Sequence, residues 1–321
     1  MKAAVVKSAG ESPVYMEFEV PHAMPGHRAV AMTASALSRL AQGRASGTHY
    51  SSGSGYPFVV GVDGVGRLDD GQRVYIFGAP APFGTMAERT IVPDAQCVPL
   101  PDGLDDVTAA AIAIPGMSSW AALIERARFA AGETVLVNGA TGTSGRLAVR
   151  IARHLGAAEV IATGRNAVAL EALLSAGADA VVSLQQDDAD LARALEPHFR
   201  AGVDVVLDYL WGASAHALLI AAARSAPDGR RLRFVQIGSI GGAEVLLPGA
   251  VLRATAIELM GSGLGSVSPA GLLAAVRGVF AAAGPARLTI ETRAVPLSAV
   301  GEHWNDANSL VRTVFTMRDG A

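Results

Sequence analysis

The chain has 321 residues, 50% of them hydrophobic and 17% charged, with a net charge of −3. That length is enough for two domains with sizeable cores, and the mild acidity excludes a strongly basic nucleic-acid-binding protein. Cys97 is the single cysteine, so an intrachain disulfide and a four-cysteine zinc lobe are excluded, and a cytoplasmic setting is expected.

In the first third, short strands alternate with turn residues. Strands are expected at 2–6, 14–20 and 28–34, punctuated by Pro21, Pro25 and Gly26. A loop rich in Gly, Ser and Tyr covers 43–56. Further strand runs follow at 58–66, 72–77 and 86–92, with no helical period before Val107. This region reads as an all-β domain. The Ala-rich stretch 107–123 reads as a helix interrupted at Pro115-Gly116, and the domain boundary is placed there. No apolar run reaches membrane-spanning length before Gly, Pro or charge interrupts it. The opening Met1-Lys2-Ala3-Ala4-Val5-Val6-Lys7 is too soon interrupted for a secretory signal.

The most informative stretch comes next. Residues 134–138 are an apolar strand ending at Asn138, and they run into Gly139-Ala140-Thr141-Gly142-Thr143-Ser144-Gly145. A helical pattern follows, with Leu147, Ile151 and Leu155 on one face and Gly156 as its stop, and then a strand at 159–163. This is one βαβ unit. Its glycines let backbone approach a phosphate pair or let helix pack on strand. The opening helix N–H groups and the helix dipole favour an anion there. The turn, G-x-x-G-x-x-G, is a variant of the common dinucleotide fingerprint. The second strand ends at Gly164-Arg165-Asn166, where an NAD site usually carries Asp or Glu for the ribose 2′-OH. Arg165 beside that vacant acid position suits the 2′-phosphate of NADP(H). A solvated arginine at a loop tip is the plainer alternative.

The alternation continues. Helices are expected at 168–176, 188–199 and 213–224, and strands at 180–184, 203–207, 232–237 and 257–260. Alternating strands and helices imply a doubly wound parallel sheet, with ligands beyond the carboxyl ends of its strands. By that rule Asp208, Tyr209, Ile237, Gly238, Ser239, Gly261 and Ser262 join Asn138, the glycine turn from Gly139 to Gly145, Gly164, Arg165 and Asn166 as cofactor candidates; ordinary turns are the alternative for each later group. The tail from Ser268 has a helix at 270–283 and strands at 287–294 and 311–317, which need the sheet of the first domain. The expected division is 1–117 for substrate, 118–265 for NADP(H), and 266–321 as the returning tail.

The order resembles the medium-chain dehydrogenase/reductase superfamily, above all its zinc-independent quinone oxidoreductase branch. Met1-Lys2-Ala3-Ala4-Val5, Pro99-Leu100-Pro101-Asp102-Gly103-Leu104, Ala109-Ala110-Ala111-Ile112 with Pro115-Gly116-Met117, the Gly139 turn, Gly177-Ala178-Asp179, Val203–Asp208 and Ile237-Gly238-Ser239 carry the likeness. It covers nearly the whole chain. It implies a GroES-like β domain plus a Rossmann domain, and frequent homodimers. Zinc relatives have Gly-His-Glu where this chain has Gly61-Val62-Asp63, so no catalytic metal is expected. Of the histidines, only His22 and His27 lie close in sequence, and they read as solvated. Quinone reductase relatives often have Asn-Pro-x-Asp where this chain has Ala36-Leu37-Ser38-Arg39-Leu40-Ala41, so the family's Asn and Asp are missing. Ser38 and Tyr50 are left as candidate catalytic hydroxyls, with an exposed loop tyrosine the alternative for Tyr50. Tyr56 reads as a packing residue. Ser118 faces the nicotinamide, as a Thr often does in similar proteins, or caps a helix.

The resemblance implies hydride transfer from NADPH to a quinone or an α,β-unsaturated carbonyl compound, with the proton drawn from solvent. Two rivals stand: a zinc-free aldehyde or ketone reductase, and an NADPH-binding sensor or structural protein with little turnover. No nucleic acid or membrane partner is expected.

Overall fold

The structure, a computed structural model, describes residues 1–53, 55–306 and 311–317. Residue 54 of the expected 43–56 loop, and residues 307–310 and 318–321 of the expected tail, lie outside the described residues. The chain divides into two units: Met1–Ile114 with Thr289–Ala321, and Pro115–Leu288.

In the first unit, β1 (Lys2–Val6) and β2 (Val14–Glu17) pair antiparallel. β3 (His27–Ala36) follows, then α1 (Arg39–Ser46), β4 (Phe58–Val59), β5 (Asp63–Arg67), β6 (Arg73–Phe77), β7 (Arg89–Pro93) and β8 (Cys97–Pro99). Helix α1 corrects the expectation of no helix before Val107. It is too short to show a periodic stripe. Its ends carry the signal instead: the Ser38 hydroxyl accepts from Ala41 N at 3.0 Å, and Gly47 closes it in the left-handed region. The expected single strand at 58–66 is broken at Gly61, which takes φ +96 and where a Cβ would meet Met86 N at 2.8 Å.

Helix α2 (Asp106–Ala121) continues as one wider π turn to Arg126. The expected interruption at Pro115-Gly116 is therefore corrected. Pro115 removes one N–H bond, but the helix before it lies in the first unit's core, with Ala109 to Ala113 fully buried. The full helical stretch Asp106–Arg126 is long and apolar enough to cross a membrane by length and composition. The expectation that no run reaches that length is thereby corrected. With 67% of its apolar window buried inside the protein, it has the burial of a core helix.

The second unit alternates β9 (Thr134–Asn138), α3 (Thr143–His154), β10 (Glu159–Gly164), α4 (Ala167–Ala176), β11 (Ala180–Ser183), α5 (Asp188–Ala201), β12 (Val205–Asp208), α6 (Gly212–Ser225), β13 (Leu232–Gln236), α7 (Gly249–Ala254), β14 (Ile257–Gly261) and α8 (Pro269–Ala282). The six strands are parallel in the order β11-β10-β9-β12-β13-β14. Counted from β9 this is 3-2-1-4-5-6, the Rossmann doubly wound order, with its switch point between β9 and β12. Leu136, Ile161, Val206 and Phe234 of the strands are buried with Leu195, Phe199 and Leu218 of the helices. Burial of each such side chain is worth about 1.5–3 kcal/mol. Helix α7 and the inclusion of α8 in this unit were not legible in the sequence pattern.

The chain then returns to the first unit as β15 (Glu291–Pro296), α9 (Val300–His303) and β16 (Val311–Thr316). β15 and β16 pair parallel, and β16 pairs antiparallel with β3. They complete a sheet ordered β15-β16-β3-β5-β6-β8, with β7 also on β3. The tail thus finishes a GroES-like β domain, as the unpaired strands at its end required.

Candidate functional site

Parallel strands all point their carboxyl ends to one edge of the sheet. In the second unit the row there is β10, β9, β12, β13, β14, about 19 Å across at the usual strand spacing. Gly164, Gly139, Tyr209, Gly238 and Gly261 sit at or just past those ends, so the fold brings these sequence-separated candidates into one row.

The three turn glycines have three different reasons. Gly139 takes φ +87, and a Cβ there would stand 2.8 Å from Leu210 Cγ. Its need is the left-handed backbone. Gly145 packs helix on strand: a Cβ would meet Ala140 Cα at 2.5 Å and the Gly139 carbonyl oxygen closer still. Gly142 needs neither. Its φ −78 and ψ 168 are open to any residue, and a Cβ would find only Gly139 O at 3.7 Å. The open space lies at the head of α3, which begins on Gly142 without a side-chain cap. A cradle that a Cβ would partly fill, next to helix N–H groups, fits a pyrophosphate.

A buried polar network holds the turn. Asn138 Nδ2 donates to Asp208 Oδ1 at 2.8 Å and to Ser214 Oγ at 3.0 Å. Its Oδ1 accepts from the Thr163 hydroxyl at 2.6 Å, and Thr163 Oγ1 in turn accepts from Gly139 N at 3.3 Å. Asp208 also accepts from Leu210 N and Trp211 N. Burial pushes the Asp208 carboxyl up, and those donors oppose it. Asn138 and Asp208, expected among the cofactor contacts, therefore spend their polar atoms on the turn and the β12 end. Thr163 and Ser214 were missed. A Thr inside an apolar strand reads only as a strand former, so no local signal marks it.

Tyr209 turns inward as well. Its hydroxyl lies 2.7 Å from Ser119 Oγ, and burial raises its phenol well above the ordinary range. The Ser118 and Ser119 hydroxyls both donate to Pro115 O, at 2.8 and 3.0 Å. Ser118 thus back-bonds within its own helix. Among the further candidates, Ile237 N and Gly238 N donate to Asp208 O, Gly261 O accepts from Arg126 Nε at 2.8 Å, and Ser262 N donates to Gln236 O at 2.8 Å. Ser239 stands one residue beyond Gly238, and Thr143 and Ser144 form the first turn of α3. Ser144 O is 3.4 Å from Ser119 Oγ.

At the β10 end, Asn166 Oδ1 accepts from Ala169 N at 2.9 Å and caps α4. Arg165, between Gly164 and Asn166, is exposed and forms no ion pair with an acidic side chain among the described residues. Gly164 has a packing reason the sequence did not show. A Cβ there would stand 2.5 Å from Thr141 Cγ2 and 2.9 Å from Thr141 Oγ1.

In the first unit, Ser38 is buried beneath the start of α1, where its oxygen accepts from Ala41 N. Tyr50 is 72% exposed, and its ring stacks on His49 at 4.1 Å between centroids. The first sits under a helix, the second at the surface. Tyr56 packs as expected, its ring 5.3 Å from that of Phe58. Asp63 is the titratable group this unit buries completely on β5. Burial pushes its carboxyl up to about 7, while the Arg312 guanidinium and the Tyr75 hydroxyl oppose the rise. Among the described residues no group of three or more His, Cys, Asp or Glu is placed to hold a metal ion.

Residues 145–277 match the family model described as zinc-binding dehydrogenase. The chain is 29% identical to the "Probable NADPH-dependent quinone reductase tdiC" of Emericella nidulans, over 96% of this chain and 98% of that protein. It is 32% identical over 225 residues to the "Mycocerosic acid synthase-like polyketide synthase" of Mycobacterium tuberculosis; the match takes in 67% of this chain and spans 10% of that much longer protein. Among solved structures, the quinone oxidoreductase of Thermus thermophilus, also solved in complex with NADPH, superposes with a TM-score of 0.80 at 25% identity, covering 99% of this chain and all (100%) of that one.

Proposed function

The chain belongs to the medium-chain dehydrogenase/reductase superfamily, on its quinone oxidoreductase-like side, and from that premise we propose that it is an NADPH-dependent reductase of quinones or α,β-unsaturated carbonyl compounds. The observation that carries the cofactor half of the reading is Gly142, a glycine that neither backbone angle nor packing demands, at the head of α3; the likeness to quinone reductases supports the substrate half. When bound, NADPH supplies the hydride. The chain's own residues do the rest. Gly142 and the first turn of α3 would hold the pyrophosphate, and Arg165 would supply N–H donors and positive charge to the 2′-phosphate. The network of Asn138, Thr163, Asp208 and Ser214 holds the turn in place. The second unit, here the Rossmann unit, is the cofactor domain and the first the substrate domain. There Ser38 keeps its hydroxyl proton for donation, and Tyr50 stands at the surface with its phenol. No side chain is assigned as the acid; solvent supplies the proton.

We take the enzyme to work without zinc, since Val62 stands where zinc relatives carry histidine. A homodimer belongs to the same reading. β14 is the outer strand of the parallel sheet, and Ile240 and Leu246 are exposed in the segment before it. A cytoplasmic location accords with the lone Cys97.

The test is NADPH oxidation against a 1,4-quinone, an enone, its saturated ketone and an aldehyde, with and without a chelator. Turnover of the first two and not the others, unaffected by chelation, is the expected result. Reduction of the saturated ketone and aldehyde alone would select the carbonyl-reductase reading. NADPH binding without turnover across the panel would select the sensor.

A further inference from the structure

A cofactor site that prefers NADH places a carboxylate at the end of the second strand of the nucleotide-binding unit. In this chain that place is Gly164, and the space over it is filled. An ideal Cβ on Gly164 would lie 2.5 Å from Thr141 Cγ2, 2.9 Å from its Oγ1 and 3.2 Å from its Cβ. Two of the three substituent positions on Thr141 Cβ are therefore in conflict with it, and rotating a β-branched side chain about χ1 cannot clear both.

The backbone on either side of Thr141, and its own carbonyl, are hydrogen-bonded as well. Ala140 N donates to Thr163 O at 2.8 Å, Gly142 N to Gly139 O at 3.3 Å, and Arg146 Nε to Thr141 O at 3.2 Å. The loop cannot withdraw without losing those bonds. With Thr141 in place, this backbone has no room for an acid at 164.

We infer that Thr141 is a specificity-determining residue: its side chain excludes any side chain at 164, and with it the carboxylate that would select NADH, leaving Arg165 to meet a 2′-phosphate. The inference rests on the NADP(H) reading above for its functional half; the steric half stands by itself. Changing cofactor preference therefore takes two substitutions, because an acid at 164 has no room while Thr141 stays.

The experiment uses the full chain in four forms: wild type, Gly164→Asp, Thr141→Gly, and both together. Melting curves without cofactor and binding of NADPH and NADH are measured for each. Gly164→Asp alone should melt lower and bind NADH no better than wild type. The double variant should recover most of the melting temperature and bind NADH about tenfold or more tighter than Gly164→Asp, the scale of one hydrogen bond to a charged group. Gly164→Asp alone matching the double variant in NADH affinity would overturn the inference.

If Gly164→Asp does not fold, Gly164→Ala adds the Cβ alone. Its melting temperature should fall by at least roughly 2–4 °C beside Thr141 and stay unchanged beside Gly at 141. Equal losses in both backgrounds would refute the contact. Wild type binding neither cofactor would overturn the function reading and the specificity role with it, while the melting cycle would still judge the steric half.

Discussion

Gly142 and Gly145 sit three residues apart in one turn, yet the structure expects opposite results from filling them. At Gly145 a Cβ would press into the turn's own backbone, 2.5 Å from Ala140 Cα and closer still to Gly139 O. Overpacking usually costs about 1–3 kcal/mol, and backbone on the receiving side puts Gly145→Ala at the upper end, about 3 kcal/mol. At roughly 2–4 °C per kcal/mol, that lowers the melting temperature by about 6–12 °C. At Gly142 the backbone lies in the extended region that Val prefers, and the nearest atom to a Cβ is 3.7 Å away. A glycine in such a turn is often held there by an angle hostile to Val; the φ of −78 removes that reason. Val is a poorer N-cap than Gly by about 1 kcal/mol, while a less flexible unfolded chain returns about 0.4–1 kcal/mol, so the fold is nearly indifferent.

The ligand is not indifferent. With NADPH at about a hundred times its Kd, wild type gains about 2.7 kcal/mol, a rise of roughly 5–11 °C. A hundredfold weaker Kd in Gly142→Val reduces the gain to about 0.4 kcal/mol, a rise of about 1 °C. The assay is a melting curve for each protein with and without NADPH. A full NADPH-dependent rise in Gly142→Val would show that the turn is not the pyrophosphate site. A large loss of unliganded stability in Gly142→Val, like that of Gly145→Ala, would show that Gly142 serves the fold.

Arg165→Ala should weaken NADPH by about 1.5–3 kcal/mol, the value of a charge-assisted hydrogen bond, and leave NADH unchanged; titration with both cofactors checks it, and equal wild-type affinities would refute it. Asp63 gives a pH signature. Its folded carboxyl is raised from 3.8 to about 7, so the folded state holds the proton that the unfolded state has released. The sign follows: the contribution to stability is greatest below the unfolded value and is lost as pH rises toward about 7, on the order of 4 kcal/mol in all. Wild-type stability measured against Asp63→Asn in denaturant should therefore fall between about pH 4 and 7 and level off above that, and a constant difference across that range would refute the assignment.

The residues determined the alternation of strands and helices, and through it the doubly wound sheet, because a buried parallel strand is written as a local apolar run and its helix as a local stripe. The same locality made the glycine turn, Gly164 and Arg165 legible, since each follows the end of a strand. It also implied that the tail strands needed the first sheet. Helix α1 escaped because eight residues held by Ser38 and Gly47 show caps but no period. The helix through Pro115 escaped because core packing, which no local pattern records, outweighed one lost hydrogen bond. The roles of the polar residues were decided by tertiary structure alone. Asn138, Thr163 and Asp208 stand on three different strands, and only the β10-β9-β12 order makes them one network. Ser118 and Tyr209 turn to Pro115 and Ser119 for the same reason: a half-buried hydroxyl without a partner is costly, so each pairs with a polar atom the fold places beside it. Gly164 shows the division most sharply. The sequence carried the missing acid; the contact with Thr141, 23 positions earlier in the chain, leaves no room for one.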